Sequence, residues 1–435
     1  MKRSVLSILS LTTWASTADA GRLWRATRHG LVPDAVTPNA VPMRRHELKP
    51  TSAQTGPGSL HKRAANRPAN LTNVHDVYYI IDLEVGNQII PVSIDTGSSD
   101  TWFVKEPYEC VSFWWQGPNV KPDCGLGAGF QGNPSGGVID NIPFGRAYMD
   151  GTFVEGYYGY EDITIGGITA SHQRIALVNY TYWSGDGRTS GLLGLAYPYM
   201  TSLDGPLQNQ PPYDPVFTTM WKDELIDPLF SIALSRHENQ GAGEGTGIQE
   251  QSYLALGGLP PVEVDEASWE RTPILGVNAI PEWGFEEKDL GLYIIKPDGW
   301  VYGKESVPLV VNNTQVPVLI DAGATLSLLP RHLVQNLYAA FDPPAKYLST
   351  NGLFFALCNA TVPKFGVIIG KNTFYFSPDD LLRQTARDPS GEYCRIGVTD
   401  VSGGPYVLGV SWMTNVVAVF DIENTEMRFA SRTKY

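Results

Sequence analysis

The chain repeats one short pattern, which reads VSIDTGSS at residues 92–99 and VLIDAGAT at residues 318–325. Each copy is an apolar run that ends in Asp-x-Gly and continues into small residues. About ninety residues after each copy stands an apolar-apolar-Gly element, Leu192-Leu193-Gly194 in the first half and Val407-Leu408-Gly409 in the second. A repeat with four matching parts predicts two related lobes, and it is far more specific than a single Asp-x-Gly, which is common in turns.

The sequence around the first copy has the pattern of paired strands. Residues 78–85 are rich in apolar and aromatic side chains and end at the turn Gly86-Asn87, after which residues 88–94 run back as the second strand of a hairpin. Similar short runs, separated by Gly, Pro and Asn, continue to the end of the chain. Apolar residues at helical spacing are clearest at 216–225 and 330–341. The predicted fold class is therefore all-β with a few short helices.

Length and charge divide the chain into a basic leader and an acidic body. The 435 residues suffice for two domains of ordinary size, and the net charge is −13. Residues 21–63 carry a net +6 and residues 1–20 carry +1, so the remaining residues carry −20. This asymmetry suggests a detachable segment held by charge. The body has no basic patch with interleaved aromatic residues, so we expect no nucleic-acid partner.

The N-terminus has the features of a secretory signal peptide over residues 1–20. Lys2 and Arg3 precede a short apolar run, and a small-residue site allows cleavage after Ala20. That run is too short for a comfortable membrane span and the chain ends without a lipid-anchor signal, so we expect a secreted protein with no membrane anchor. Residues 21–63 are interpreted as a disordered linker or as a propeptide. The dibasic Lys62-Arg63 favours a basic propeptide removed at that point.

The four cysteines allow three disulfide pairings. They form two local groups, which favours Cys110 with Cys124 and Cys358 with Cys394 in an oxidising compartment. A metal site is the alternative, but neither a C-x-x-C motif nor a nearby histidine pair supports it, so we expect no metal. N-glycosylation sequons, which fit an extracellular protein, occur at Asn70, Asn179, Asn312 and Asn359.

These motifs resemble those of the pepsin family of aspartic proteases, particularly its secreted fungal members, over residues 74–432. The resemblance implies a bilobal fold with pseudo-twofold symmetry and an active-site cleft between the lobes. Residues 64–265 would form the N-terminal lobe and residues 266–435 the C-terminal lobe. The family resemblance also implies protein or peptide substrates, a monomer, no cofactor, and a propeptide that inhibits its own enzyme.

In this family each lobe supplies one catalytic aspartate, and these would be Asp95 and Asp321. Two carboxyl groups a few ångströms apart cannot both ionise cheaply, so they share a proton, and aspartic proteases are the standard example of this effect. The ionised group would activate a water molecule, and the protonated group would hydrogen-bond the peptide carbonyl. The alternative is a pair of ordinary turn aspartates. By resemblance, the residues that support the pair are Thr96, Gly97, Ser98, Gly323 and Thr325.

The resemblance also predicts a flap, a hairpin that closes over the substrate and excludes water. Its tip would contain Tyr148, Asp150, Gly151 and Thr152, and Trp102 would brace the tyrosine. Met149 replaces the usual small residue of the family, so a plain surface hairpin is the alternative.

The second catalytic loop departs from the family pattern. Ala322 and Ala324 stand where the first loop has Thr96 and Ser98, so two hydroxyl groups are missing. Loss of donors to the ionised carboxylate raises the pKa values of the pair. We therefore expect an acid limb of activity at higher pH, or slower catalysis, unless Thr325 compensates.

The altered loop leaves a function of another class open, namely a catalytically impaired pepsin-like protein that acts as a binding or inhibitor protein. Other hydrolase classes have no support, because the sequence contains neither G-x-S-x-G nor H-E-x-x-H. The function predicted from the sequence is a secreted aspartic endopeptidase made as a zymogen.

Overall fold

The computed structural model describes residues 24–27, 30–33, 36–47, 77–111, 124–202, 211–236, 251–281, 288–304, 307–348 and 353–433. The predicted signal peptide with Ala20, the dibasic Lys62-Arg63 and the sequon at Asn70 lie outside these residues.

Twenty-eight strands account for about half of the described residues, and the sequence predicts a mostly β structure. The strands of the first half are β1 Trp24–Thr27, β2 Gly30–Pro33, β3 Ala40–Glu47, β4 Val77–Val85, β5 Gln88–Asp95, β6 Trp102–Cys110, β7 Val138–Ala147, β8 Phe153–Ile165, β9 Ile168–Tyr182, β10 Gly191–Gly194, β11 Leu229–Ala233 and β12 Ser252–Leu256. Those of the second half are β13 Glu270–Pro273, β14 Ile294–Ile295, β15 Gly299–Gly303, β16 Val310–Asn312, β17 Val318–Ile320, β18 Ser327–Pro330, β19 Lys346–Leu348, β20 Leu353–Leu357, β21 Lys364–Ile369, β22 Asn372–Tyr375, β23 Leu382–Arg387, β24 Tyr393–Ile396, β25 Val398–Val401, β26 Tyr406–Leu408, β27 Val416–Asp421 and β28 Glu426–Ser431.

Four short α-helices occur in the described residues, α1 Val216–Lys222, α2 Arg331–Ala340, α3 Pro378–Leu381 and α4 Val410–Met413. The first two match the stretches with helical periodicity, and α2 buries Leu333, Val334, Leu337 and Tyr338 on one face. The predicted all-β class with a few short helices is confirmed. None of the described helices is long and apolar enough to cross a membrane.

One large sheet runs through both halves of the molecule. Its thirteen strands follow the order β13-β28-β27-β11-β12-β3-β4-β5-β10-β6-β9-β8-β7, so strands from the C-terminal end are hydrogen-bonded into the same sheet as β5 and the first Asp-x-Gly loop. A five-stranded sheet in the order β14-β17-β26-β18-β25 carries the second loop. The predicted hairpin is present, since β4 and β5 pair in antiparallel register from Ile80 opposite Ser93 to Val85 opposite Gln88.

The two halves repeat one arrangement around the Asp-x-Gly loops. Strand β10 lies parallel to β5, with Gly194 opposite Asp95. In the second half β26 lies parallel to β17, with Leu408 opposite Ile320. Each apolar-apolar-Gly element therefore supports the strand that leads into one aspartate, as expected of two related lobes.

The leader contributes a strand to the centre of the large sheet. Strand β3 pairs with β4 on one side and with β12 on the other, and Met43 is 1% exposed between them. Residues 40–47 are therefore not a disordered linker, and the sequence pattern missed this strand because its charged residues hide the apolar period. The alternation within β3 does place Met43 and Glu47 among the buried residues.

Two disulfides follow the local pairing predicted from the sequence. Cys110 is joined to Cys124 at the end of β6, and Cys358 is joined to Cys394 between β20 and β24. The first disulfide ties the end of β6 to residue 124, and the second cross-links the neighbouring strands β20 and β24.

An aromatic cluster packs between the two halves of the molecule, near the Asp-x-Gly loops. The rings of Phe230 and Phe420 stack at 4.4 Å, and Tyr293 meets Phe420 edge to face at 4.6 Å. The Tyr293 hydroxyl donates to the Leu195 carbonyl at 2.6 Å, which ties the second half to the segment that follows β10. The junction is buried and hydrogen-bonded, which fixes the relative position of the two loops.

Candidate active site

Asp95 and Asp321 stand at the ends of β5 and β17 and hydrogen-bond each other. The Gly97 amide donates to Asp95 Oδ1 at 2.8 Å, and the Gly323 amide donates to Asp321 Oδ1 at 2.7 Å. The structure therefore brings together the two residues that the sequence singled out, each with its Oδ1 held by the glycine amide of its own loop.

The loop glycines are required by close approach of the opposite carboxylate. A Cβ atom on Gly97 would lie 2.7 Å from Asp321 Oδ2, and one on Gly323 would lie 2.5 Å from Asp95 Oδ1. Contacts this short exclude any side chain at either position. Each glycine thus makes room for the aspartate of the other loop.

The hydroxyl groups around the pair are unequal, as the sequence predicts. Ser98 Oγ donates to Asp95 Oδ2. Thr96 Oγ1 donates to the Ile320 carbonyl at 2.9 Å and accepts from the Ala322 amide at 2.9 Å, which joins the two loops. The methyl group of Ala322 offers no hydroxyl to return this contact, so the bridge is made from one side.

Thr325 does not compensate for the missing hydroxyls. Its Oγ1 accepts from the Val77 amide at 3.1 Å, which places it against β4 instead of Asp321. The Asp321 carboxylate is served by the backbone amides of Gly323 and Ala324. The second loop therefore stabilises its aspartate with N–H groups alone, whereas the first loop adds a hydroxyl.

Desolvation is the main influence on the second aspartate. Burial and, next, the negative charge of Asp95 hold the pKa of Asp321 well above its ordinary value, and the amides of Gly323 and Ala324 offset only part of this rise. The two carboxyl groups therefore share a proton as one unit, in which the raised pKa of Asp321 favours its protonated form. Asp95 carries the hydroxyl donor Ser98.

The predicted flap is a hairpin between β7 and β8, with Ala147 opposite Phe153. At its tip the Tyr148 amide donates to the Thr152 carbonyl at 2.8 Å, and Gly151 has the positive φ of 88° that the turn requires. Asp150 Oδ1 accepts from the Thr152 amide and hydroxyl at 2.9 and 2.7 Å. The aspartate holds the tip in shape.

Trp102 braces the flap tyrosine, because its Nε1 donates to the Tyr148 hydroxyl at 2.7 Å. Trp183, which the sequence analysis did not single out, packs edge to face on Trp102 at 5.0 Å and on Tyr148 at 5.3 Å. No local motif marks Trp183, since its contacts come from distant segments. Met149 is 59% exposed at the tip.

A cleft of about 380 Å³ lies between the paired loops and the flap. Both aspartates line it, together with Tyr148, Trp183 and Asp150. Its other walls are largely apolar, and include Leu192, Met200, Leu292, Leu319, Leu328 and Val407. Such walls suit a peptide with apolar side chains lying across two carboxyl groups.

Two further residues of the cleft wall were missed by sequence reasoning. Asp100 follows the first catalytic loop, and Arg146 precedes the flap tyrosine by two residues; Arg146 Nε donates to Asp100 Oδ2 at 2.6 Å. Burial raises the pKa of Asp100, although Arg146 and Tyr213 act in the opposite direction. Asp100 and Arg146 are 46 residues apart in the chain, so no local sequence pattern reveals that they pair.

The sequons within the described residues lie at or near the surface. Asn179 and Asn359 are exposed, and Asn312 is half-buried with its Oδ1 accepting from the Thr314 amide at 2.9 Å. Glycosylation at these positions stays a prediction.

A β fold that sets two Asp-x-Gly loops against each other beneath a hairpin defines an aspartic protease. A family model described as eukaryotic aspartyl protease matches residues 78–432. The chain is 36% identical over 378 residues to a probable aspartic-type endopeptidase of Aspergillus fumigatus, with 86% of this chain and 83% of the relative covered. It is 24% identical to penicillopepsin-1 of Talaromyces stipitatus, covering 88% and 82% of the two chains, and 24% identical to aspergillopepsin-1 of Aspergillus flavus, covering 82% and 78%. The chain belongs to the eukaryotic aspartyl protease family and is an aspartic-type endopeptidase, a hydrolase acting on peptide bonds.

Proposed function

We propose that the protein is a catalytically active endopeptidase that hydrolyses internal peptide bonds with a water molecule activated between Asp95 and Asp321. The observation that carries this proposal is the direct contact of the two carboxyl groups at the centre of an open cleft. Both aspartates line this cleft, beneath the flap residues Tyr148 and Asp150.

In the proposed reaction the two aspartates share one proton, which Asp321 holds before the substrate is attacked. Asp95 takes a proton from the water while the water oxygen bonds to the peptide carbonyl carbon. Asp321 gives its proton to the carbonyl oxygen. The resulting tetrahedral diol collapses when Asp95 gives its proton to the amide nitrogen, Asp321 takes a proton from one diol hydroxyl and the C–N bond breaks. This yields a carboxylic acid and an amine and restores the starting protonation of the pair. No covalent enzyme intermediate forms. The flap excludes bulk water, which strengthens the electrostatic interactions around the diol.

The alternative, a catalytically impaired binding or inhibitor protein, has support only from Ala322 and Ala324. The geometry favours the enzyme, because backbone amides still serve Asp321 and Thr96 still bridges the two loops. The missing hydroxyl groups at Ala322 and Ala324 change the hydrogen bonding around the two aspartates, but Asp95 and Asp321 remain side by side.

We infer further that the protein is secreted as a zymogen and that residues 21–63 are its propeptide and intramolecular inhibitor. The signal-like N-terminus, the two disulfides and the sequons support secretion. The opposite charges of leader and body, and the place of β3 in the large sheet, support a leader that binds its own enzyme. A monomer and protein or peptide substrates complete this proposal.

Incubation of the processed protein with a denatured protein at acidic pH, with and without pepstatin, tests the function. We expect cleavage that pepstatin abolishes and that Asp95→Asn lacks. Cleavage that pepstatin leaves unchanged, or binding of the substrate without cleavage, would overturn the proposal in favour of another mechanism or a binding protein.

A further inference from the structure

A buried ion pair connects the first catalytic loop to the base of the flap. Asp100, five residues after Asp95, is 3% exposed and accepts from Arg146 Nε at 2.6 Å. The Tyr213 hydroxyl donates to its other oxygen, and the Tyr158 hydroxyl lies 3.4 Å from that same oxygen. Both carboxylate oxygens of Asp100 therefore accept hydrogen bonds from residues on other segments of the chain.

Arg146 uses the rest of its guanidinium to hold two further points. One Nη donates to the Thr201 carbonyl at 2.8 Å, and the other donates to the carbonyl of Gly145 in its own strand at 2.8 Å. The side chain is 9% exposed, so these contacts are shielded from water. The guanidinium thus joins the catalytic loop, the β7 side of the flap and the 198–202 segment, and only its planar fork provides this geometry.

Aromatic side chains seal the pair in an apolar cluster. Tyr158 belongs to a buried group with Trp102 and Phe144, against which Tyr148 and Tyr213 pack. Arg174 lies over the rings of Tyr158 and Tyr213 at 4.1 and 4.6 Å. Ionic hydrogen bonds in such a low-dielectric setting are stronger than at the surface.

We propose that Asp100 and Arg146 are positioning residues, which fix the base of the flap relative to the first catalytic loop so that Tyr148 closes on the substrate in register with Asp95. The proposal rests on the proposed peptidase function, because it concerns how the flap meets a peptide. Stability alone does not explain the pair, since an apolar pair of similar volume is often as stable as a buried ion pair. The location of the pair does explain it. Asp100 follows the first Asp-x-Gly loop and Arg146 lies at the base of the flap, two parts that must keep a fixed separation, and both residues line the cleft.

The decisive variant is the double change Arg146→Met/Asp100→Asn. Arg146→Met alone leaves Asp100 buried and unpaired and is expected to unfold more easily. The double variant removes both charges, so we expect its Tm to return close to that of the wild type. Its KM for a peptide substrate should still rise about tenfold, with kcat changed by less than about twofold, because flap closure contributes equally to substrate and transition-state binding. Arg146→Lys should recover part of the loss, since an ammonium reaches Asp100 but lacks the fork.

Amide hydrogen exchange at the flap tip supplies a measurement independent of catalysis. The amides of Tyr148 and Gly151, both hydrogen-bonded in the closed turn, should exchange faster in the double variant. The matched control, Lys304→Met/Asp342→Asn, removes an exposed pair 3.0 Å apart in the second half and should change neither KM nor flap exchange.

Wild-type KM and wild-type flap exchange in the stable double variant would overturn the positioning role. Faster flap exchange supports the role even if the wild-type protein cleaves nothing, in which case the peptidase proposal alone fails.

Discussion

At the scale of single residues, the two catalytic loops differ in what they donate. Asp95 receives a hydroxyl from Ser98 and an amide from Gly97, whereas Asp321 receives amides only. The Ser98 hydroxyl therefore has no counterpart on the second loop, where Ala324 stands. The missing hydroxyls change the energetics of the pair while its geometry is kept by backbone groups.

The double change Ala322→Thr/Ala324→Thr should move the acid limb of the kcat/KM profile to lower pH. A hydroxyl at 324 would donate to the ionised pair, and a donor to the charged form lowers the pKa at which the pair takes up its second proton. The pH–rate profile of the variant measures this shift. Ala322→Thr alone is the control, because a hydroxyl at 322 would meet the opposite backbone and leave the limb in place; an unmoved limb in the double variant would refute the argument.

The raised pKa of Asp321 also predicts how the free energy of unfolding depends on pH. A folded-state pKa above the unfolded value means that the native state binds more protons, so the contribution is full below the ordinary carboxyl pKa and is lost as the pH rises. Relative to Asp321→Asn, the wild type should lose up to about 1.4 kcal/mol of unfolding free energy per pH unit above about pH 4. Denaturant titrations across pH measure the difference.

Asp82→Asn is the control of opposite sign. Hydrogen bonding to Arg44 lowers the pKa of Asp82, so its contribution is present above the ordinary carboxyl pKa and is lost as the pH falls. A wild type and an Asp321→Asn variant with parallel stability profiles would show that the burial of Asp321 has no energetic consequence.

At the scale of elements, the flap is held at two places. Its tip tyrosine accepts a hydrogen bond from Trp102, and its base is tied through Arg146. Strand β6, which begins at Trp102, continues from the first catalytic loop. Both attachments therefore fix the position of the flap relative to Asp95.

Trp102→Phe should lower kcat/KM about 2–10-fold, because it removes one neutral hydrogen bond worth about 0.5–1.5 kcal/mol while keeping an aromatic ring. Steady-state kinetics on a peptide substrate measure the loss. Tyr148→Phe breaks the same hydrogen bond from the other side, so the two single variants and their double form a cycle. Additive losses in that cycle would show that the bond does not couple the two residues.

Elements defined by local pattern were predictable, and those defined by distant contacts were not. The β4–β5 hairpin, both Asp-x-Gly loops and the α2 helix each follow from short-range spacing, and the flap turn was expected from the family resemblance. Trp183 and the Asp100–Arg146 pair carry no local signal, because their partners lie 35 or more residues away. Strand β3 escaped prediction because its charged residues hide the apolar period, and its sheet partners β4 and β12 are remote in sequence.

At the scale of the whole molecule, the basic leader is built into the acidic body. Glu47 Oε1 accepts from Arg383 at 2.7 Å and from the Thr385 hydroxyl, and its Oε2 accepts from Arg45 at 2.8 Å. This buried cluster joins β3 to β23 of the second half. Release of residues 21–63, as proposed for the zymogen, would therefore require loss of β3 from the centre of the sheet and of this buried ionic contact.

Glu47→Gln should make the leader fragment dissociate at least about tenfold faster after cleavage at Lys62-Arg63, because it removes a buried charge that pairs with Arg383. Native mass spectrometry of the cleaved protein over time measures dissociation. Arg44→Gln is the matched control on the same strand, since the Arg44–Asp82 pair is half-exposed and contributes little. Equal rates for both variants would contradict the role of Glu47.

The central claim is that Asp95 and Asp321 act as one unit, and the pH dependence of kcat/KM for the wild type, Asp95→Asn, Asp321→Asn and the double variant tests it most directly. We predict a bell-shaped profile for the wild type, and a loss of about 10³-fold or more in each single variant. The double variant should be no worse than either single variant, because groups that act together are non-additive. Near wild-type activity in either single variant, with the other aspartate intact, would contradict the account.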